Sequence, residues 1–177
     1  DLIAHLVDNM NLDPNMDFLF IEDGPVGSWY SGRDDTSFPI FNAAHSGNYL
    51  AVAALLRRGA DAKKKTRING AGALLVAADF GYLRILVELL DAGADVRDVK
   101  SSTGNTALHV AAQNGHVAVV QELIRRRGCD VNALNFNKLT PLGLAMVRCR
   151  VSAAAALLAH GADVEALSRP MLAMITQ

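Results

Sequence analysis

Histidine and cysteine are the residues of this sequence that could carry acid–base, nucleophilic or metal-binding chemistry. His109 and His116 lie in GNTALHVAAQNGH, where they could serve as a general base or as metal ligands. A zinc site needs several ligands at short spacing, and His45 and His160 have no cysteine or carboxylate partners at such a spacing. The sequence therefore predicts no metal site, and nothing in it points to a cofactor.

The two cysteines, Cys129 and Cys149, are too few for a disulfide framework or a four-cysteine metal site. This usage favours a reducing, intracellular location, either cytoplasmic or nuclear. Arg148 and Arg150 flank Cys149, and cationic neighbours can favour the reactive thiolate. A modifiable thiol is therefore one interpretation of Cys149, and a structural residue in a turn is the other.

Motifs of known catalytic sites do not occur in this sequence: it has no nucleophile elbow, phosphate-binding glycine loop or kinase signature. Residues 24–29, GPVGSW, are interpreted as a turn and not as a dinucleotide-binding fingerprint. No apolar run approaches the roughly 20 residues that cross a membrane. We therefore expect a protein that is not an enzyme, has no small-molecule substrate and does not insert into a membrane.

Charge is spread unevenly along the chain, although the formal net charge is only −1. Residues 1–35 contain eight acidic residues and one arginine, a net charge of about −7, whereas the rest of the chain is basic. The run Lys63–Arg67, KKKTR, would need further basic or aromatic residues along the same face to bind nucleic acid, and later turns do not supply them. It is interpreted as a solvated turn, or as a site for an acidic partner or for residues 1–35 themselves.

A period of 34 residues organises most of the chain. One alanine-containing pair recurs at this step, at residues 43–44, 77–78, 111–112 and 145–146. A glycine three residues later recurs at 47, 81 and 115, and Cys149 takes the fourth place. A second glycine, at the start of GAD or GCD, recurs at 59, 93, 128 and 161. Three features in one register over four copies indicate a structural repeat.

Each copy predicts two helices separated by a glycine. The first helix starts at FPIF, GALL, TALH or TPLG, where threonine can cap free amide groups and proline suits the first turn. The glycine then provides a left-handed cap before the second helix. Val117, Val120 and Leu123 show the apolar spacing of that second helix. At the fourth copy, Cys149 implies either backbone strain or a changed turn.

Residues 104–133, GNTALHVAAQNGHVAVVQELIRRRGCDVNA, resemble the ankyrin repeat almost position by position. The resemblance covers residues 36–166 and implies an all-α ankyrin-repeat solenoid of stacked helix-turn-helix units with projecting β-turn loops. Its four repeats are expected at about 36–66, 67–100, 101–133 and 134–166. His109 and His116 match template positions with structural roles. Phe38 and Phe41 replace the usual threonine and histidine, as in an N-terminal capping repeat, and Gly72 weakens the second helix start.

Two segments lie outside these repeats. Residues 1–35 contain apolar residues at helical spacing near the start, so a short helix is plausible. This segment either covers the exposed end of repeat 1 or forms an element that contacts a partner. Residues 167–177 are interpreted as a partial fifth repeat or cap. The chain starts at Asp1, which is typical of a fragment or a processed form.

The resemblance places function in the shape of the stack, whose loops project as fingers while the first helices line a concave groove. Phe80 and Phe136 are aromatic where the template usually has polar residues, and aromatic residues are enriched in binding hot spots. Asp79 and Arg148 are expected to set the charge preference. The complete set of candidate partner-binding residues is Phe80, Phe136, Asp79, Arg148, Asn69, Ser102, Asn105, Gln113, Asn114, Lys64, Lys65 and Arg67.

These observations predict a non-catalytic module that binds a protein or peptide partner through its groove and finger loops. The alternative is a regulatory or targeting domain of a larger enzyme or signalling protein whose catalytic part lies elsewhere. The full-length reading frame would distinguish the two.

Overall fold

A computed structural model describes residues 38–67 and 70–164 of the chain. The predicted acidic segment 1–35, the C-terminal segment 167–177 and Asn69 lie outside the described residues. The described part contains eight α-helices: α1 Pro39–His45, α2 Tyr49–Arg57, α3 Ala73–Phe80, α4 Leu83–Asp91, α5 Ala107–Asn114, α6 Val117–Arg125, α7 Pro141–Val147 and α8 Val151–Ala159.

The helices are stacked in the order of the chain. Each first helix contacts its own second helix, and the first helices α1, α3, α5 and α7 pack in one row beside the row of second helices α2, α4, α6 and α8. Neighbouring first helices contact one another more extensively than neighbouring second helices do. The row of first helices is therefore the inner, concave side. The predicted all-α solenoid is confirmed.

Residues of the same type repeat along the core. Ala43, Ala77, Ala111 and Ala145, one on each first helix, are fully buried, and their small side chains allow these helices to approach closely. The second helices contribute a matching row of fully buried leucines, Leu55, Leu89, Leu123 and Leu157. Burial of one such leucine stabilises the fold by about 1.5–3 kcal/mol. The 34-residue period is thus the period of one continuous apolar seam.

The turn between the two helices of each repeat has the same backbone conformation in all four copies. Gly47, Gly81 and Gly115 are left-handed, with φ values of 69°, 74° and 82°. Cys149 is also left-handed, with φ of 54°. The predicted glycine caps are confirmed, and of the two alternatives for Cys149 the structure shows strain in an unchanged turn. A non-glycine residue in this conformation costs about 1–2 kcal/mol.

The predicted threonine caps are present in repeats 3 and 4. The Thr106 Oγ1 accepts a hydrogen bond from the His109 amide, and the Thr140 Oγ1 accepts one of 3.1 Å from the Gly143 amide. Phe38 and Gly72, at the corresponding starts of α1 and α3, provide no side-chain cap. Local sequence therefore specifies the helix starts of the last two repeats more strongly than those of the first two.

Finger loops connect the repeats on the side of the first helices. Antiparallel bridges join Lys65 to Gly72 and Val99 to Thr106, and the Asn135 amide donates to the Leu139 carbonyl at 3.0 Å in the equivalent loop. We call three loops the fingers, and their described residues are 65–67 with 70–72, 99–106 and 133–140.

Candidate protein-binding surface

The fingers and the exposed C-terminal ends of the first helices form one surface, which we call the groove surface. Those helix ends are residues 45–46, 79–80, 113–114 and 147–148. Because repeats 2, 3 and 4 each contribute one finger and one helix end, and repeat 1 contributes a helix end, equivalent side chains lie in rows along the stack. The candidate binding residues identified from the sequence can be placed on this surface one by one.

Phe80 lies at the end of α3 and is held between two other rings. Its ring centroid is 5.1 Å from that of His45, in an edge-on arrangement, and 5.6 Å from that of Tyr82, in a nearly parallel one. The side chain of Phe80 is nevertheless 45% exposed. Contacts on both sides restrict its rotamer, so Phe80 presents a preordered apolar surface to solvent.

Phe136 lies on the third finger and packs against the second. Its amide donates a 3.0 Å hydrogen bond to the Thr103 carbonyl, and its ring lies so close to Gly104 that an added Cβ there would be 2.5 Å from a ring carbon. Asn135 donates from Nδ2 to the Asn105 Oδ1 at 2.8 Å, which ties the same two fingers together. Phe136 is 63% exposed on this rigid pair of fingers.

The two aromatic candidates belong to different parts of the groove surface. Phe80 ends an inner helix of repeat 2, whereas Phe136 is on the finger that precedes α7 in repeat 4. The structure therefore does not bring them together into one pocket. A ligand that contacts both must extend across repeats 2 to 4.

Asp79 and Asn114 form a polar contact between repeats 2 and 3. The Asn114 Nδ2 donates to the Asp79 carbonyl at 2.9 Å and to its Oδ1 at 2.7 Å. The His116 Nε2 donates to the same carbonyl at 2.9 Å. Both residues are thus structural as well as accessible. Gln113, the neighbouring candidate, accepts a 3.3 Å hydrogen bond from the Arg150 Nε at its carbonyl.

A row of residues that the sequence analysis did not select supports this surface. In repeats 2 to 4, the residue after the turn packs over the left-handed glycine of the preceding repeat. The pairs are Tyr82 over Gly47, His116 over Gly81 and Arg150 over Gly115. Their 34-residue spacing was a signal that could have identified them. Because tyrosine, histidine and arginine are such different side chains, the sequence did not suggest that all three make the same contact with a glycine.

The basic run is only partly available to a partner. The Lys64 Nζ lies 5.2 Å from the centroid of the Phe38 ring, a cation–π contact at the first helix start. The Lys65 Nζ forms a 2.7 Å ion pair with the Asp98 Oδ1 and so joins two neighbouring loops. Arg67 is exposed near the tip of the first finger. KKKTR is thus three separate features and not one uniform patch.

The other candidates are accounted for more simply. Ser102 is exposed on the second finger, and Arg148 is exposed at the end of α7, where its amide donates to the Leu144 carbonyl at 3.1 Å. Asn69 lies outside the described residues.

His109 is a structural residue of the core. It is fully buried, its Nδ1 accepts a 3.2 Å hydrogen bond from the Thr106 amide, and its Nε2 therefore carries the proton and donates to the Leu139 carbonyl at 3.1 Å. Burial lowers the pKa of His109, because the charged imidazolium would lose its hydration. A neutral imidazole with both nitrogens in use joins repeat 3 to the third finger.

The remaining reactive groups are dispersed. Cys129 is half-buried, and burial raises the pKa of its thiol to about 11, so it is almost entirely protonated at neutral pH. Cys149 is exposed at its turn. In the part of the chain that the structure describes, no three His, Cys, Asp or Glu side chains are grouped as metal ligands would be.

Comparison with known proteins gives one clear result. A family model described as ankyrin repeats (3 copies) matches residues 40–135 and, in a second, overlapping match, residues 74–168. A search of curated proteins finds no match. None of the helices within residues 38–67 and 70–164 has both the length and the apolarity needed to cross a membrane. The matched range covers well over half of the chain and coincides with the stacked helix pairs, so the chain belongs to the ankyrin-repeat family.

Proposed function

We propose that this chain is a non-catalytic module that binds a protein or peptide through its groove surface. Ankyrin repeats generally act as protein–protein interaction modules. The observation that carries the proposal for this chain is the exposure of Phe80 and Phe136 on the groove surface, at 45% and 63%. Covering an aromatic ring with a partner releases water from apolar surface and is favourable in proportion to the area buried.

Rigid support makes these two rings suitable anchors. Phe80 is fixed by His45 and Tyr82, and Phe136 is fixed by the backbone of the neighbouring finger. A preordered side chain loses little conformational entropy when a partner binds. The same contacts explain why both rings can remain exposed without a rearrangement of the fold.

Charged groups on either side of the anchors would orient the partner. Asp79 is adjacent to Phe80, and Arg148 is exposed at the end of the inner helix of repeat 4. An acidic group at one end and a basic group at the other favour one direction of a bound segment over the reverse.

The experiment begins with the full chain as bait in cell extract and identifies bound proteins by cross-linking mass spectrometry. The affinity of the recovered partner is then measured for Phe80→Ala and Phe136→Ala. We expect each variant to bind at least tenfold more weakly, as at typical aromatic hot spots. Helical content, measured by circular dichroism, should not change, because both rings lie outside the buried core.

Leu50→Ala provides a matched control. Leu50 is a large apolar residue with 65% exposure, but it lies on α2 in the outer row of helices. Its replacement should leave the affinity unchanged. Binding that survives both phenylalanine replacements, or that depends equally on Leu50, would contradict the proposed site.

A further inference from the structure

The fingers are cationic and contain no acidic residue. Their charged residues are Lys65, Arg67, Lys100 and Lys138, and Lys65 forms an ion pair with Asp98 just outside the second finger. Within the described residues, Arg67, Lys100 and Lys138 form no ion pair with a carboxylate. Each of the three successive fingers therefore carries one basic residue that has no carboxylate partner among residues 38–67 and 70–164.

The outer side of the stack shows the opposite pattern. Arg126 pairs with Asp91 and Glu122, and Arg125 also lies within ion-pairing distance of Glu122. These two arginines thus have acidic neighbours from the same or the adjacent repeat, whereas Arg57 and Arg127 form no ion pair with a carboxylate of the described residues. Carboxylates therefore lie among the basic residues of the outer helices, whereas the sequences of the fingers, which bear Phe136, contain none.

We propose that the fingers bind an acidic peptide segment, with Arg67, Lys100 and Lys138 pairing with its carboxylates. This inference rests on the proposed function and names the chemistry of the partner. Phe136 lies on the same finger as Lys138, so an apolar side chain next to an acidic one would contact both. The acidic groups provide specificity and attraction, while the aromatic anchors provide buried area.

Repeat geometry predicts the spacing of the acidic groups. Packed helices generally lie about 8–10 Å apart, and we expect a similar spacing for the fingers attached to them. An extended peptide advances about 3.3 Å per residue. Carboxylates about three residues apart would therefore reach successive fingers.

A nucleic acid is also anionic, but it fits this surface less well. Single strands bind where aromatic side chains stack successive bases along a basic groove. Phe136 is the aromatic residue of the fingers, and the other two have none in their sequence. A partner with few charges and apolar side chains between them matches one exposed ring and three spaced cations better than a phosphate at every residue does.

The test selects ligands without prior choice of sequence. A phage-displayed library of random peptides of about 12 residues, long enough to cross three fingers, is selected on the immobilised full chain. Recovered peptides are sequenced, and their affinity is measured by fluorescence anisotropy at about 50 and about 200 mM NaCl. We expect enrichment of aspartate and glutamate at three-residue spacing, with binding that weakens as salt increases.

Two triple variants that each remove three positive charges show which side of the stack binds the peptides. Arg67→Gln/Lys100→Gln/Lys138→Gln should weaken binding of the recovered peptides at least tenfold. Arg57→Gln/Arg125→Gln/Arg127→Gln removes the same charge from the outer side and should change the affinity less than twofold. Equal losses in both variants would show that only net charge matters and would overturn the inference.

Other outcomes separate this inference from the proposed function. Recovery of neutral or basic peptides that still depend on Phe80 and Phe136 would overturn the acidic partner and leave the groove function standing. Recovery of no peptide would contradict both. Tighter binding of a single-stranded oligonucleotide than of any peptide would assign the fingers to nucleic acid. Binding of acidic peptides only after Asp34→Asn/Asp35→Asn would assign the fingers to the acidic segment of the chain itself.

Discussion

Gly81→Ala is the substitution that tests most directly how one repeat fixes the next. Gly81 ends α3 with φ of 74°, and a Cβ added there would lie 2.5 Å from the His116 Nδ1 and 2.8 Å from its Cγ. The imidazole cannot turn away freely, because its Nε2 donates a 2.9 Å hydrogen bond to the Asp79 carbonyl. The new methyl group would therefore force repeats 2 and 3 apart or break that bond.

Two terms contribute to the expected loss of stability. A left-handed alanine costs about 1–2 kcal/mol, and an overpacked contact costs typically another 1–3 kcal/mol. Gly81→Ala should therefore lower the free energy of unfolding by roughly 2–5 kcal/mol. Gly161→Ala is the matched control, since Gly161 has φ of 85° and no atom of the described residues lies within 4 Å of an added Cβ there. This control variant should lose only the roughly 1–2 kcal/mol that a left-handed alanine costs.

Urea unfolding followed by circular dichroism measures both free energies. The double variant Gly81→Ala/His116→Ala should recover most of the difference between Gly81→Ala and the control, with a coupling of about 1–3 kcal/mol. Equal losses for Gly81→Ala and Gly161→Ala, or a coupling near zero, would show that the contact between repeats is not tight. The explanation of the repeated glycines by stacking would then be wrong.

Three further predictions concern single residues. Cys149→Gly should raise the melting temperature by about 1–4 °C, because relief of the left-handed strain exceeds the entropy cost of glycine by roughly 0.5–1 kcal/mol; an unchanged or lower value in thermal circular dichroism would contradict this. In the native protein, the exposed thiol of Cys149 should react rapidly with a thiol reagent at about pH 8. The thiol of Cys129 should react slowly, because burial raises the pKa of Cys129 to about 11. Both thiols should react rapidly in urea. Burial lowers the pKa of His109, so the unfolded chain binds a proton at this residue more tightly than the folded chain does. The free energy of unfolding should therefore fall as the pH decreases below about 6.5, the usual histidine pKa. It should stop falling once the pH is below the pKa of His109 in the folded state. Urea midpoints between about pH 7.5 and 5.5 measure this effect, which His109→Gln should reduce.

The period of the sequence was sufficient to predict the helix pairs and their stacking. Alanine pairs, glycines and leucines at a constant step can form a common seam only if each repeat has the same fold, and the structure confirms the helices and the left-handed caps. The positions of the repeat boundaries, and the roles of the segments on either side of the repeats, stay predictions.

Contacts between side chains of different repeats could not be predicted in the same way. A repeat shows that residues 82, 116 and 150 are equivalent, but not that a tyrosine, a histidine and an arginine would each pack over a glycine. The ion pair between Lys65 and Asp98 likewise depends on rotamers and loop geometry. Such contacts decide which groove residues are fixed and which are available, so the candidate site was predicted only in outline.

The hydrogen bonds of the turn explain why Cys149 adopts a left-handed conformation that usually favours glycine. Its amide donates to the Met146 carbonyl at 3.0 Å, and the next amide, of Arg150, donates to the Ala145 carbonyl at 2.8 Å. In repeat 3 the Gly115 and His116 amides bond to Ala112 and Ala111 in the same way. Each bond contributes about 0.5–1.5 kcal/mol. Together with the packing of the two flanking helices, they outweigh the strain of about 1–2 kcal/mol at one residue.

Repeat 4 has a second residue of this kind, and the two have a common consequence. Lys138 has φ of 60° on the third finger, at the position of Gly70 and Gly104, whose φ values are 63° and 69°. In the earlier repeats these glycines, and those in the helix turns, are where the following repeat packs most closely. Lys138 and Cys149 carry side chains at these two positions. A unit stacked over the exposed Val147, Val151 and Leu158 of repeat 4 would meet a side chain at both places where the earlier repeats have a glycine, so we expect its register to differ from that between repeats 1 to 4.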